Sequence, residues 1–383
     1  MYNGYEFNEA QKVNAEVDLG AIRNNYRIFK GMIGDGCRLM SVVKANAYGH
    51  GEIEIAKCVA DCGCDAFAVA TVDEGILLRK AGIKGLILIL GYTLPSAFPK
   101  LCEYDISQSC ASLDYLRLLC DFADSTGSTV KTHLKLNTGM NRTGFATDGG
   151  LTDDLRLAAE LFLSHKNIVR EGIFSHFACA DEPDKNFTRT QDERFVSCVK
   201  ALENLGLTFG IRHISSTMGI VNFPEPDFRL DMVRLGIGLY GYTFPELPGL
   251  IPAMTYNAAV VAVNKLKKGD YVGYGYTYRA PRDMVAATIC AGYADGFRRE
   301  LSNKGSVLCR GKKCPVIGNV CMDMTMIDAE AIKDEIKVGD RATLFGFNSG
   351  AFVGADEVAK TVGTIPYELL CAVGDRFKRV YKG

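Results

Sequence analysis

The stretch Ser41-Val42-Val43-Lys44-Ala45-Asn46-Ala47-Tyr48-Gly49-His50-Gly51 decides how this chain is read. The residues leading into it, Leu39-Met40-Ser41-Val42-Val43, form an apolar, β-branched run of the kind found in a strand buried on both faces of a parallel sheet. The glycine-containing segment that follows reads as a loop. Lys44 therefore stands at a strand's carboxyl end, and in α/β barrels that end carries the chemistry. A lysine partly withdrawn from water loses basicity and can form a Schiff base with an aldehyde, and Tyr48 is close enough to reach the same group. The plainer alternative is a strand-terminal lysine whose amine reaches out to solvent.

Outward from this run, apolar stretches alternate with amphipathic ones from residue 17 to about 242, the signature of repeated βα units. Residues 38–43, 66–70, 86–90, 131–136, 171–175, 211–215 and 232–236 are the expected strands, with helices over 72–81, 151–163 and 191–205. About eight such strands close a (β/α)8 TIM-type barrel. An open doubly wound sheet also alternates, but no G-x-G-x-x-G follows the first strand. After Pro245 the texture changes to short β-rich runs at 258–266, 284–290, 307–310, 324–328 and 341–345. Pro245, Pro248, Gly249 and Pro252 interrupt regular structure between the two regions. The expected organisation is an α/β barrel over 12–244 and a mostly-β domain over 245–383, with residues 1–11 packing against the latter.

A chain of 383 residues suits two domains. A net charge of −1 and the lack of any Lys/Arg block give no field for nucleic acid or an anionic membrane, so a small-molecule partner is expected. The start, Met1-Tyr2-Asn3-Gly4-Tyr5-Glu6, lacks a basic region followed by an apolar one, and no run approaches the ~18 apolar residues that span a bilayer. A cytoplasmic protein is expected. Most of the 14 cysteines sit singly among apolar neighbours as reduced thiols. The cluster at Cys58, Cys62 and Cys64 has no second set to complete a tetrahedron, so no metal is expected.

The wording of the lysine run, V-V-K-A-N-A-Y-G-H-G, resembles the cofactor-lysine motif of alanine racemases, which use pyridoxal 5'-phosphate (PLP) and have fold type III. The resemblance continues in order through Lys135-Leu136-Asn137-Thr138-Gly139-Met140-Asn141-Arg142, Phe174-Ser175-His176-Phe177-Ala178 and Met232-Val233-Arg234-Leu235-Gly236-Ile237-Gly238. It goes on through Gly273-Tyr274-Gly275, Gly292-Tyr293-Ala294-Asp295-Gly296, Cys321-Met322-Asp323 and Ile365-Pro366-Tyr367-Glu368. It covers residues 15 to 381.

The resemblance implies a homodimer with shared active sites that interconverts L- and D-alanine for peptidoglycan. Lys44 holds PLP and serves as one base; Tyr274 of the other subunit is the second. Racemisation needs a group on each face of one Cα, and a tyrosine, with an ordinary pKa of about 10, needs cationic neighbours to serve as a base. The phosphate falls to Gly236, Ile237, Tyr48, Tyr367 and Thr217, where the family usually has serine. Arg234 faces the pyridine nitrogen and His176 bonds it. An arginine there donates a hydrogen bond without surrendering its proton, which leaves the ring a weak electron sink. Arg142, Met322 and Asp323 hold the cofactor's phenolic oxygen and the substrate carboxylate, and Tyr293 lines the entrance. Lys135 aligns with a lysine often carbamylated in relatives, but Asn137 replaces the usual aspartate, and a bound anion bracing Arg142 is the alternative. His213-Ile214-Ser215-Ser216-Thr217-Met218-Gly219 departs from the commoner H-x-A-N-S-A-A, and Gly91-Tyr92-Thr93 resembles the serine racemase branch, so a serine or broader racemase is the second reading. A fold type III decarboxylase tends to carry a carboxylate at the pyridine nitrogen, and a PLP carrier lacks the second domain.

Overall fold

Strand Arg38–Val42, which leads to Lys44, pairs in parallel with Met232–Leu235 on one side and Ala66–Val69 on the other. The parallel order continues through Leu86–Ile89, Ser107–Cys110, Val130–Asn137, Ile168–Phe174 and Ile211–His213. The circle closes where Asp231 N–H donates to Arg212 O at 3.1 Å and Arg234 N–H to Ser215 O at 3.1 Å. This is a parallel (β/α)8 barrel, as the alternation implies. Its helices follow their caps. In Leu113–Thr126 the Ser112 hydroxyl accepts from Tyr115 N–H at 3.3 Å, Leu116, Leu119, Cys120 and Ala123 face the sheet, and Gly127 ends the helix at φ 68°.

Ser107–Cys110 is a strand absent from the sequence reading, because Ser107, Gln108 and Ser109 are polar. They are buried nonetheless. Gln108 is satisfied by the Thr93 hydroxyl at 2.6 Å and the Gly91 carbonyl at 2.8 Å, so its burial leaves no donor or acceptor unpaired there.

The structure is a computed structural model describing residues 12–383; the expected packing of residues 1–11 lies outside the described residues. By contact, the barrel unit comprises Ala21–Ala47 and Glu52–Ile251, and a second unit comprises residues 12–20, Tyr48–Gly51 and Pro252–Gly383. Two differences from the expected boundaries have local causes. Strand Val13–Asp18 runs antiparallel to Met254–Leu266 and parallel to Arg379–Lys382, so it joins the β-rich sheet. The segment before Pro252 stays with the barrel because buried Asn25 donates to Leu239 O at 3.1 Å and Ile251 O at 2.8 Å and accepts from Ile251 N–H at 2.9 Å. In the β-rich unit, the 13-residue strand Met254–Leu266 also pairs with Arg341–Asn348 and, beyond a bulge near Val260, with Met284–Ile289.

Candidate active site

Lys44 lies just beyond Arg38–Val42, and the chain after it takes an uncommon course. Ala45, Asn46, Ala47 and Tyr48 have φ of 52°, 53°, 53° and 51°, four successive non-glycine residues in the left-handed region. Each costs about 1–2 kcal/mol in an L-residue, strain that persists where surrounding contacts impose it. Here Ala45 N–H donates to Glu74 Oε1 at 2.7 Å, Ala47 N–H to Val43 O at 2.8 Å, and Glu52 N–H to Asn46 Oδ1 at 3.0 Å.

Arg234 stands on the neighbouring strand, in register with Met40. Its guanidinium is buried, and donates to His213 Nδ1 at 2.6 Å, the Ser175 and Ile214 carbonyls at 2.8 Å each, and His176 Nδ1 at 3.0 Å. Burial lowers it to about 9, and the charge of Arg142 adds to the effect. Since arginine only donates, both Nδ1 atoms accept, and the neutral rings carry their protons on Nε2. His213 Nε2–H then donates to His133 Nδ1 at 2.9 Å, and His133 Nε2–H to Glu171 Oε2 at 3.1 Å. Burial, then the charge of Arg234, holds His176 and His213 well below the ordinary histidine value. Burial alone raises Glu171, but the bonds from His133 and Ser107 outweigh it and hold the carboxylate below its ordinary value.

Beside Arg234, the Thr217 hydroxyl accepts from Gly236 N–H at 3.0 Å and Gly238 N–H at 3.4 Å. A Cβ on Gly238 meets Phe29 at 2.5 Å and Thr217 at 2.7 Å, so only glycine fits. Lys135 is buried with its amine 4.8 Å from the Phe174 ring centroid, and burial, Arg234 and Arg142 push it well below the ordinary lysine value. Asn137 does not turn to that amine: its Oδ1 accepts from Gly139 and Asn141 N–H, and its Nδ2 donates to Asn141 Oδ1 at 3.0 Å.

The β-rich unit holds the other candidates. Tyr48 and Tyr367 lie with ring centroids 5.8 Å apart, and burial raises the Tyr48 phenol. Tyr274, Tyr293, Met322 and Asp323 line one cavity of about 810 Å³. Its wall is two loops tied together: Tyr293 N–H donates to Cys321 O and Ala294 N–H to Met322 O, both at 3.0 Å. Arg376 spans them, 3.2 Å from buried Asp295 and 2.8 Å from Asp323.

Comparison with known proteins shows the family. Residues 17–244 match the model "Alanine racemase, N-terminal domain" and residues 253–381 "Alanine racemase, C-terminal domain". The chain belongs to the alanine racemase family. Alanine racemase 2 of Caldanaerobacter subterraneus subsp. tengcongensis is 40% identical over 381 residues, covering 98% of this chain and 96% of that protein. Alanine racemase of Desulforamulus reducens is 41% identical over 375 residues, covering 96% and 98%. Among solved structures, alanine racemase from Bacillus anthracis with bound L-Ala-P superposes with a TM-score of 0.90 at 31% identity, covering 99% and 96%. That from Clostridium difficile 630 gives 0.88 at 34%, covering 97% and 96%.

Lys44, Lys135, Arg142, His176, Thr217, Arg234, Gly236 and Ile237 fall in this family member's barrel unit, and Tyr48, Tyr274, Tyr293, Met322, Asp323 and Tyr367 in its β-rich unit. Reading the sequence missed Glu171, His133, Glu74 and Arg376, and met His213 only as part of a motif. Alternation gave one usable signal, since His133 and Lys135 share a face of Val130–Asn137. Among the described residues no three His, Cys, Asp or Glu side chains group as a metal site, and no helix is long and apolar enough to cross a membrane.

Proposed function

We propose that the protein racemises alanine with PLP held on Lys44, using Lys44 and Tyr274 as bases on opposite faces of Cα. One observation carries the reading: a partly buried lysine lies just beyond strand Arg38–Val42, while a buried arginine, with donors committed to two imidazoles and two carbonyls, stands on the adjacent strand in register with Met40. The donor set suits PLP. Gly236 and Gly238, on either side of Ile237, bring backbone N–H groups to the Thr217 hydroxyl with no room for a Cβ at Gly238, a cradle suited to phosphate.

Bound through Lys44, PLP supplies the electron sink that lets the Cα proton leave. Arg234, even lowered to about 9, keeps its proton at neutral pH and only donates. It therefore restrains that sink, which favours return of a proton to Cα over side reactions. Lys44 moves the proton on one face and Tyr274 of the partner subunit on the other, while Arg142, with Met322 of the partner subunit and Asp323 of the partner subunit, holds the cofactor's phenolic oxygen and the substrate carboxylate, the latter through the Met322 backbone N–H of the partner subunit, and Tyr293 lines the approach. Tyr274 is 75% exposed beside exposed Met322 and Tyr293, which supports a homodimer in which each protomer lends Tyr274 to its partner's site. With Asn137 in place of the usual aspartate and turned toward Gly139 and Asn141, two braces for Arg142 stand open, a carbamate on Lys135 or a bound anion, and density for a carbamate on Lys135 decides between them. The product serves peptidoglycan synthesis in the cytoplasm.

The test is D-amino acid formation from L-alanine and L-serine by PLP-loaded protein, with Lys44→Ala as control. Alanine turnover abolished by Lys44→Ala is expected. Faster serine turnover moves the substrate assignment, and a PLP-bound protein that racemises neither overturns it.

A further inference from the structure

The Glu74 carboxylate has an unusual load for a residue outside the reacting set. It lies at the third position of helix Val72–Lys80 and completes a capping box with Thr71, whose hydroxyl accepts from Glu74 N–H at 3.3 Å. That role uses one carboxylate oxygen, Oε2, which accepts from Thr71 N–H at 3.2 Å and Ala70 N–H at 2.7 Å. The other, Oε1, reaches across to Ala45 N–H at 2.7 Å. One side chain thus joins the chain leaving strand Ala66–Val69 to the residue directly after Lys44.

The Ala45 contact falls where the backbone needs holding. The left-handed turn begins at Ala45 and contains no glycine until Gly49; of residues 45–48 only Asn46 adopts that region readily, so nothing intrinsic to Ala45 favours it over extended or right-handed alternatives. A backbone that relaxed at Ala45 would rotate the peptide joining it to Lys44 and re-aim the amine. A carboxylate suits the post, because all three N–H groups donate and a carboxylate only accepts.

We infer that Glu74 is a positioning residue for Lys44, its carboxylate pinning the left-handed turn that aims the lysine amine at PLP. The inference rests on the reading of Lys44 as the PLP lysine. Glu74→Gln is the sharp probe: it keeps the size and the helix position, and turns one acceptor into a donor facing an N–H. Thr71→Ala is the control, since it removes the cap hydroxyl and leaves all three carboxylate bonds in place.

The experiment titrates full-length apoprotein with PLP, following the visible absorbance that Lys44→Ala lacks, and measures amide hydrogen exchange of the peptide spanning residues 44–48 in the apoprotein. Glu74→Gln is expected to weaken PLP binding and to speed exchange at Ala45, each by about tenfold or more, as loss of a charge-assisted hydrogen bond predicts. Thr71→Ala is expected to melt earlier but to keep both values within about twofold of wild type. A Glu74→Gln protein with wild-type affinity and exchange overturns the inference, and so does a Thr71→Ala protein that loses as much as Glu74→Gln, since the effect then belongs to the helix cap. Wild-type protein that takes up no PLP on Lys44 overturns the underlying reading instead, while the exchange comparison in apoprotein still judges the turn.

Discussion

His213 donates through Nε2–H to Nδ1 of His133 across 2.9 Å, and this bond lies midway in a chain running from Arg234 to Glu171. Every donor in it points the same way, from guanidinium to carboxylate, which leaves each imidazole one possible neutral tautomer. A buried cation is thereby joined to an anion through two neutral rings, with no exposed ion pair between them.

The first prediction concerns the carboxylate end. Glu171→Gln keeps an acceptor for His133 but removes the charge, and should cost about 1–3 kcal/mol of stability near neutral pH. The folded value of Glu171 lies below the ordinary one, so its contribution is complete above the unfolded value of about 4.3 and is lost as pH falls through the folded value. The gap between wild type and Glu171→Gln in urea unfolding should therefore narrow in acid, and 15N spectra should show both rings as Nε2–H tautomers. A gap that widens in acid contradicts the assignment.

Three buried histidines set a second pH effect of their own. Burial first, and then the Arg234 charge at His176 and His213, hold those two and His133 below the ordinary value, so the folded chain binds fewer protons there than the unfolded chain. Their contribution is full above about pH 6.5 and falls as pH drops below it. Three protons at about 1.4 kcal/mol each set an upper slope of about 4 kcal/mol per pH unit. Denaturation midpoints between about pH 7.5 and 5.5 test this, and a His133→Gln variant should show a shallower slope.

Gly172 makes room for the chain. A Cβ there meets His133 Nδ1 at 2.3 Å and Ile211 O at 2.9 Å, so Gly172→Ala must displace the ring or the adjacent strand. A loss of about 1–3 kcal/mol is expected, with His133 and His213 no longer confined to one tautomer. Unchanged melting together with unchanged histidine spectra would show that the space is softer than the contacts imply.

Arg234 and Tyr274 were met through the family's motifs and not through their neighbours, whereas the place of Lys44 at the end of an apolar strand was legible in the sequence because that run is local. The Arg234 to Glu171 chain was not, because its members lie on four strands and only parallel pairing brings them into line. Nor was the turn after Lys44, since only Asn46 among Ala, Asn, Ala and Tyr hints at positive φ; Glu74 supplies part of what the local sequence lacks. Strand Ser107–Cys110 escaped notice because a barrel interior that satisfies Gln108 tolerates a polar strand.

Thr217 carries a prediction about the family's serine position. Its hydroxyl gathers the Gly236 and Gly238 N–H groups, so Thr217→Val should weaken PLP binding by about tenfold, the worth of one buried hydrogen-bonding group. Thr217→Ser should retain affinity, because the hydroxyl and not the methyl does the gathering. Equal losses in the two variants would point to packing against Gly238.

Arg376 sets the last prediction, on the β-rich side. It bridges Asp295 and Asp323, and Asp295 is buried, accepting also from Gly292 N–H at 3.0 Å through its other oxygen. The bridge thus locks the loop bearing Met322 and Asp323 to the loop bearing Tyr293, whose close approach leaves Gly292 no space for a side chain: a Cβ there meets Cys321 O at 2.2 Å. Arg376→Ala frees Asp323 and leaves the Asp295 charge without its cation, so the Met322 N–H, proposed above to hold the substrate carboxylate, loses its fixed position. The expected result is a KM for alanine raised by about tenfold with a much smaller change in kcat, because substrate placement suffers more than proton transfer. A fall in kcat at unchanged KM would instead place Arg376 in the proton-transfer machinery.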